Sequence, residues 1–172
     1  MVGRSAPSAA GGLRPSRLAA GAPLLLAGLR RRHRFAEAAR AIPAQWAAFG
    51  ALGVLPGQVG RTAYGVIASS DVAAQSFEYL CGVQVDDLAS VPAGLDRMRV
   101  PAAQYAVFAH DGHVTTLRET WDRIWREWLP ASGMTPAPTP DFERYDERFD
   151  PDTGLGGMEI WFPVVRDAAR PA

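Results

Sequence analysis

The sequence predicts one α+β domain built from two pseudo-symmetric β-α-β-β units, and three observations carry that expectation. A chain of 172 residues suits a single domain with its own core. Apolar residues alternate as in strands and recur as in helices, in the order strand, helix, strand, strand, and that order occurs twice. Helices on one face of a mainly antiparallel sheet bury such units, which leaves the other face, or the groove between the halves, for a ligand.

Composition sets the limits. Hydrophobic residues make up 48% and charged residues 21%, as in ordinary globular proteins, so the body is expected to be compact. Eighteen basic residues, all arginine, balance eighteen acids. No one-sided basic field draws the chain onto phosphates, and direct nucleic-acid binding is not expected. The single cysteine, Cys81, rules out an internal disulfide framework and a Cys-based metal site, which favours a cytoplasmic location. Gly21–Leu29 is apolar but about half the length of a membrane span, and Arg30, Arg31, Arg32 and Arg34 follow it. It reads as a buried strand, with no role at a membrane.

Residues 1–21 are rich in Gly, Ala, Ser, Pro and Arg without a hydrophobic period, and read as a flexible N-terminus. The domain is expected over 22–166, with 167–172 a flexible C-terminus. Pro23–Phe35 is the first strand. Pro43 suits the first turn of a helix on which Ile42, Trp46, Phe49 and Leu52 recur until Gly53 and Pro56. Thr62–Ala68 and Phe77–Val85 are the next strands. A short strand around Arg97–Val100 precedes the second unit, which begins with Tyr105–Ala109. Thr116 and Glu119 then form the pattern of a capping box, and Leu117, Trp121, Ile124, Trp125 and Trp128 mark a helix that ends before Pro130 and Gly133. Phe142–Tyr145 and Met158–Val164 close the unit as a hairpin around an Asp- and Gly-rich loop.

Few residues carry obvious chemistry. In Met158–Val164, alternation sends Met158, Ile160 and Phe162 to one side and Glu159, Trp161 and Pro163 to the other. If Ile160 packs on the helices, Glu159 points into the groove, where desolvation would raise its pKa and favour a cationic ligand, with Trp161 adding a cation–π contact. The alternative is a glutamate on a solvated sheet face. Tyr79 is a candidate ligand wall or a cross-strand packing residue. Trp46 and Trp128 lie on helix-packing positions, with a place in the groove as the other option. His33, His110 and His113 are scattered and lack the further ligands a metal needs. Asp146, Asp150 and Asp152 do not have calcium-loop spacing. No nucleophile elbow, phosphate loop or dinucleotide fingerprint is present, and Cys81 lies mid-strand, where burial keeps a thiol inert.

Taken together, Val100–Pro101–Ala102–Ala103–Gln104–Tyr105–Ala106–Val107–Phe108, Trp128–Leu129–Pro130, Gly133, Phe142–Glu143–Arg144–Tyr145 and Met158–Val164 resemble the GyrI-like effector-binding family. Gly28–Leu29–Arg30, Ile42–Pro43 with Trp46, Tyr64–Gly65–Val66, and Phe77–Glu78–Tyr79 with Gly82–Val83 extend the resemblance over about 22–166. Members of that family also end AraC-type and related transcription regulators. The resemblance implies a curved antiparallel sheet with two helices on one face, a central ligand groove, and an acidic residue at the place of Glu159. The segment before Pro23 lacks the length and apolar period of a helix-turn-helix, so a stand-alone module is expected.

The leading expectation is a small-molecule binder for hydrophobic, cationic or polyaromatic compounds, serving sensing, sequestration or drug resistance, with Glu159, Trp161, Tyr79, Trp128 and Trp46 as site residues. Another is a hydrolase of electrophilic cyclopropane-type genotoxic compounds, with Glu159 and Tyr79 catalytic. A third is a modulator of a protein such as DNA gyrase or a regulator, through the acidic loop Asp141–Asp152. No cofactor or metal is expected.

Overall fold

A computed structural model describes residues 12–166. The two repeated units are present: β2 (Leu24–Arg34), α1 (Ala38–Gly50), β3 (Gln58–Asp71) and β4 (Ser76–Val85), then β6 (Ala103–His110), α2 (Leu117–Arg123), β8 (Asp141–Tyr145) and β9 (Met158–Arg166). Three short strands flank them: β1 (Arg17–Gly21), β5 (Asp96–Val100) and β7 (Met134–Pro136). All pairings are antiparallel, and eight strands run in the order β1-β6-β9-β8-β3-β4-β2-β5, with β7 on the far end of β9.

That order is symmetric about the β8–β3 seam. β6-β9-β8 on one side mirrors β2-β4-β3 on the other, and β1 corresponds to β5 at the edges. β5 lies on one edge and β6 next to the opposite edge, yet only Pro101 and Ala102 join them. Two residues span too little distance to cross a flat sheet of this width, so the sheet curls. Leu26, Tyr64, Val66, Leu80, Val100, Tyr105, Val107 and Phe142 pack together on its inner face. The outer face carries the helices: α1 on β2 and β4 around Tyr79, Cys81 and Val83, and the α2 segment on Phe108, Ile160 and Phe162.

α1 is pinned from within. Gln45, fully buried, donates to the carbonyls of Leu29 and Tyr79 and accepts from His33 Nε2. Both carbonyls belong to adjacent strands, so the amide fixes the helix on the sheet. After α2 the backbone widens into a π-helical turn, Ile124–Trp128, before the short α3 (Leu129–Ser132) ends at Gly133, whose φ of 66° is the left-handed cap that glycine takes without strain.

Three expectations need correction. Arg17–Gly21, read as flexible, forms β1 because it pairs residue by residue with β6 from Val107 to Ala103. Residues 1–11 and 167–172, also read as flexible, lie outside the described residues. Pro43 is not in the first turn of α1: the helix begins at Ala38 and Pro43 sits inside it on the exposed side, where only one backbone hydrogen bond is forfeited. The capping box does not form, since Thr116 Oγ1 donates to the His113 carbonyl and a 3-10 turn at Val114–Thr116 leads into α2. Among the described residues no helix is long and apolar enough to cross a membrane.

Candidate functional site

β8 alternates Asp141, Glu143 and Tyr145 toward the helices with Phe142 and Arg144 toward the inner face, and it pairs with β3 so that Glu143 stands opposite Gly65. Residues directly opposite in an antiparallel pair share a face. A Cβ at Gly65 would come within 2.7 Å of Glu143 Oε2 and would collide with the Tyr79 hydroxyl. The missing side chain therefore makes the space in which Tyr79, reaching across from β4, meets Glu143.

The network that results draws on both halves. Tyr79 Oη donates to Glu143 Oε2 at 2.8 Å and Tyr145 Oη donates to the same oxygen at 2.9 Å. Trp121 Nε1, from α2, donates to Oε1 at 3.0 Å. Trp46 Nε1, from α1, donates to Tyr79 Oη at 3.1 Å, and its ring lies edge-on to Tyr145 with centroids 5.4 Å apart. Two helices and two strands thus converge on one carboxylate. Burial pushes the Glu143 carboxyl above its usual range, against the opposing pull of the hydrogen bonds from Tyr79, Trp121 and Tyr145. Burial, then the charge of Glu143, pushes both tyrosines well above theirs, so they remain donors. All three hydrogen bonds come from neutral groups, and among the described residues no Arg or His nitrogen forms an ion pair with Glu143.

Two cavities flank this centre along β8. One, about 330 Å³, is bounded by Ile67, Trp125, Pro140, Asp141 and Phe162. The other, about 290 Å³, is bounded by Arg61, Ala63, Tyr145 and Phe149.

The expected site residues divide. Tyr79 and Trp46 meet at the Glu143 network. Trp128 lies in the core beneath its helix, edge-on to Phe108 at 5.0 Å. Ile160 does pack toward the helices, but the acid brought beneath them is Glu143, and Glu159 and Trp161 face the other way. Arg17 from β1 grips Glu159 with both terminal guanidinium nitrogens, at 2.7 and 3.1 Å, and lies 5.4 Å from the Trp161 ring centroid. Trp161 Nε1 also donates to Glu159, and Arg144 stands 3.4 Å away. Burial acts to raise the Glu159 carboxyl, yet the hydrogen bonds from Arg17 and Trp161 and the charges of Arg17 and Arg144 outweigh it, so it ends below its usual value. That is the reverse of the expected direction. The cation–π contact expected of a ligand is made by the protein's own arginine.

The other residues singled out lie apart from this centre. Burial pushes the Cys81 thiol up to about 11. Asp146 is paired with Arg148 at 2.7 Å and with Arg144 at 3.8 Å. Among the described residues no group of three or more His, Cys, Asp or Glu is placed to hold a metal ion. Glu143 and Trp121, which join Tyr79 and Trp46 in this network, are not among the site residues the sequence singles out. Glu143 sits in a five-residue strand whose two sides, Asp141, Glu143 and Tyr145 against Phe142 and Arg144, each mix polar and aromatic residues and mark no buried face, and only the pairing with Gly65 reveals where it points.

Known proteins share this fold. The fold resembles that of SAV2435, solved bound to tetraphenylphosphonium, with a TM-score of 0.67 at 20% identity over 87% of this chain and 93% of that one. It also resembles the C-terminal domain of EcmrR, with a TM-score of 0.62 at 16% identity over 87% and 96%. In sequence the chain is 33% identical over 108 residues to the transcriptional regulator BrlR of Pseudomonas aeruginosa, a match that takes in 60% of this chain and only 38% of that protein. Residues 22–165 match the family model of the GyrI-like small molecule binding domain, and the chain belongs to that family.

Proposed function

We propose that the protein binds hydrophobic aromatic cations in the groove between α1 and α2, with Glu143 as the electrostatic anchor and Trp46, Tyr79, Trp121 and Tyr145 as its walls. One observation carries this reading: a carboxylate beneath two helices is held by three neutral donors and, among the described residues, has no salt-bridge partner. Such a group is costly to keep ionised, and a bound cation offsets that cost while the indole faces add cation–π attraction. The capture of tetraphenylphosphonium by a protein of the same fold supports the choice of ligand class. Sensing or sequestering a toxic compound is the role that follows.

Titration of wild type with tetraphenylphosphonium and with neutral triphenylphosphine oxide tests it. Glu143→Gln is expected to weaken binding of the cation at least about tenfold, or about 1.4 kcal/mol, and to spare the neutral compound, while Glu159→Gln leaves both unchanged. Equal binding of the cation by wild type and Glu143→Gln would remove Glu143 as the anchor.

A hydrolase reading uses the same centre. A carboxyl raised by burial, 2.8 Å from the Tyr79 hydroxyl, is equipped to accept a proton from water attacking an electrophilic ligand. Chromatography of the titrated ligand separates the two, because turnover consumes it and binding does not.

A further inference from the structure

The cavity beside Asp141 is not explained by a single anchor. Asp141 lies two residues before Glu143 on the same face of β8, opposite Ile67. Among the described residues its carboxylate has no salt-bridge partner and no hydrogen bond from another residue's side chain, only one from its own backbone N–H. The cavity wall around it is mainly apolar, formed by Ile67, Phe162 and the prolines around Pro138, with Trp125 as its aromatic side and Ser69, Ser70 and Thr139 as its neutral polar edge. Trp125 is 47% exposed although its ring stands edge-on to Phe162 at 5.0 Å. A large indole left half in solvent beside an unpaired acid is unfinished as core and well formed as a ligand wall.

The spacing repeats that of the neighbouring centre. Trp121 serves Glu143, and Trp125, four residues further along the helical segment, lines the cavity of Asp141. Four helical residues rise about 6 Å and two strand residues about 7 Å, so both steps match. We propose that the groove holds two cation subsites in tandem, Glu143 with Trp121 and Asp141 with Trp125, and that it prefers a rigid aromatic dication with positive centres about 7 Å apart. This rests on the reading of Glu143 as an anchor and extends it to a ligand class. Burial holds the Asp141 carboxyl up at about 7, with the charge of Glu143 acting the same way, so an arriving cation would relieve both acids at once.

Methyl viologen, a flat biaryl dication with its nitrogens about that far apart, and N-methyl-4-phenylpyridinium, the same frame with one charge, make the test. Calorimetric titration of the full chain at pH 8 is expected to show wild type binding the dication at least about tenfold tighter. Asp141→Asn should bind both compounds like the monocation, with a melting temperature no lower than wild type, and the exposed control Asp152→Asn should keep the preference. Glu143→Gln should weaken both ligands. Equal binding of the two by wild type, no binding of the dication, or a preference that survives Asp141→Asn would overturn the second subsite. If in those cases the monocation still depends on Glu143, the single-anchor groove stands. If the monocation ignores Glu143→Gln, that groove falls as well.

Discussion

Replacing Asp141 by Asn should stabilise the protein, and the size and pH dependence of the gain follow from its surroundings. Burial moves this carboxyl from its ordinary 3.8 to about 7. At about 1.4 kcal/mol per pH unit, keeping the acid ionised in the folded state costs about 4 kcal/mol above pH 7. Asp141 is partly open to its cavity, and solvent screening lowers this to about 2 kcal/mol. For a domain of this size that is roughly 4–8 °C in melting temperature. The sign is fixed by which state releases the proton first. Below about pH 4 both states hold it and the variant gains nothing. As pH rises from about 4 to about 7 the unfolded chain ionises while the folded one does not, so wild type loses ground steadily; above 7 the gap is constant. Melting curves of both proteins from pH 4 to 9 measure it. A gap that does not change with pH, or an Asn variant less stable than wild type at pH 8, would refute the reasoning. An acid that lowers stability where it stands is what a ligand site leaves behind, because the compensation arrives only with the ligand.

Gly65→Ala should displace Tyr79 or Glu143 and destabilise the fold by about 1–3 kcal/mol, as overpacking in a filled site does; urea unfolding and tetraphenylphosphonium titration should change together. Arg17→Ala removes the double contact with Glu159, but the arginine side chain is 45% exposed, so the cost should stay under about 1 kcal/mol, with cation binding in the groove unaltered.

Much of the fold could be read from the chain because each helix buries one face and successive residues of the long strands pack alternately into the outer and inner clusters. The apolar residues of β4 and β9 alternate, and the Trp and Leu residues of the α2 segment recur at helical spacing, so local pattern and tertiary packing agree there. β1 and β7 escaped for the opposite reason. Arg17–Gly21 contains two alanines and a glycine, and Met134–Pro136 ends in a proline, so neither has an apolar face of its own. Both are strands only because a neighbour supplies the pairing. The anchor proposed here, Glu143, lay out of reach for a similar reason. Alternation correctly set Glu159 opposite Ile160, but nothing local says whether a ligand lies under the helices or on the face away from them. Arg17, which neutralises Glu159, comes from a strand that could not be seen.

The pseudo-twofold axis explains why the two halves look unlike while folding alike. It passes between Gly65 and Glu143, the middle pair of the β3–β8 seam, and relates Ala63 to Asp141 and Ile67 to Tyr145. Glutamates at both central positions would place two carboxylates on one buried spot, where only one can ionise. Nor is there room, because the Tyr79 hydroxyl fills the space above Gly65. A site on such an axis must therefore divide its labour: β8 supplies Asp141, Glu143 and Tyr145, and β3 supplies the small and apolar surface against which they stand. The repeat survives in the order of strands and helices, which the core enforces, and it is lost at these three positions, where the groove requires the halves to differ.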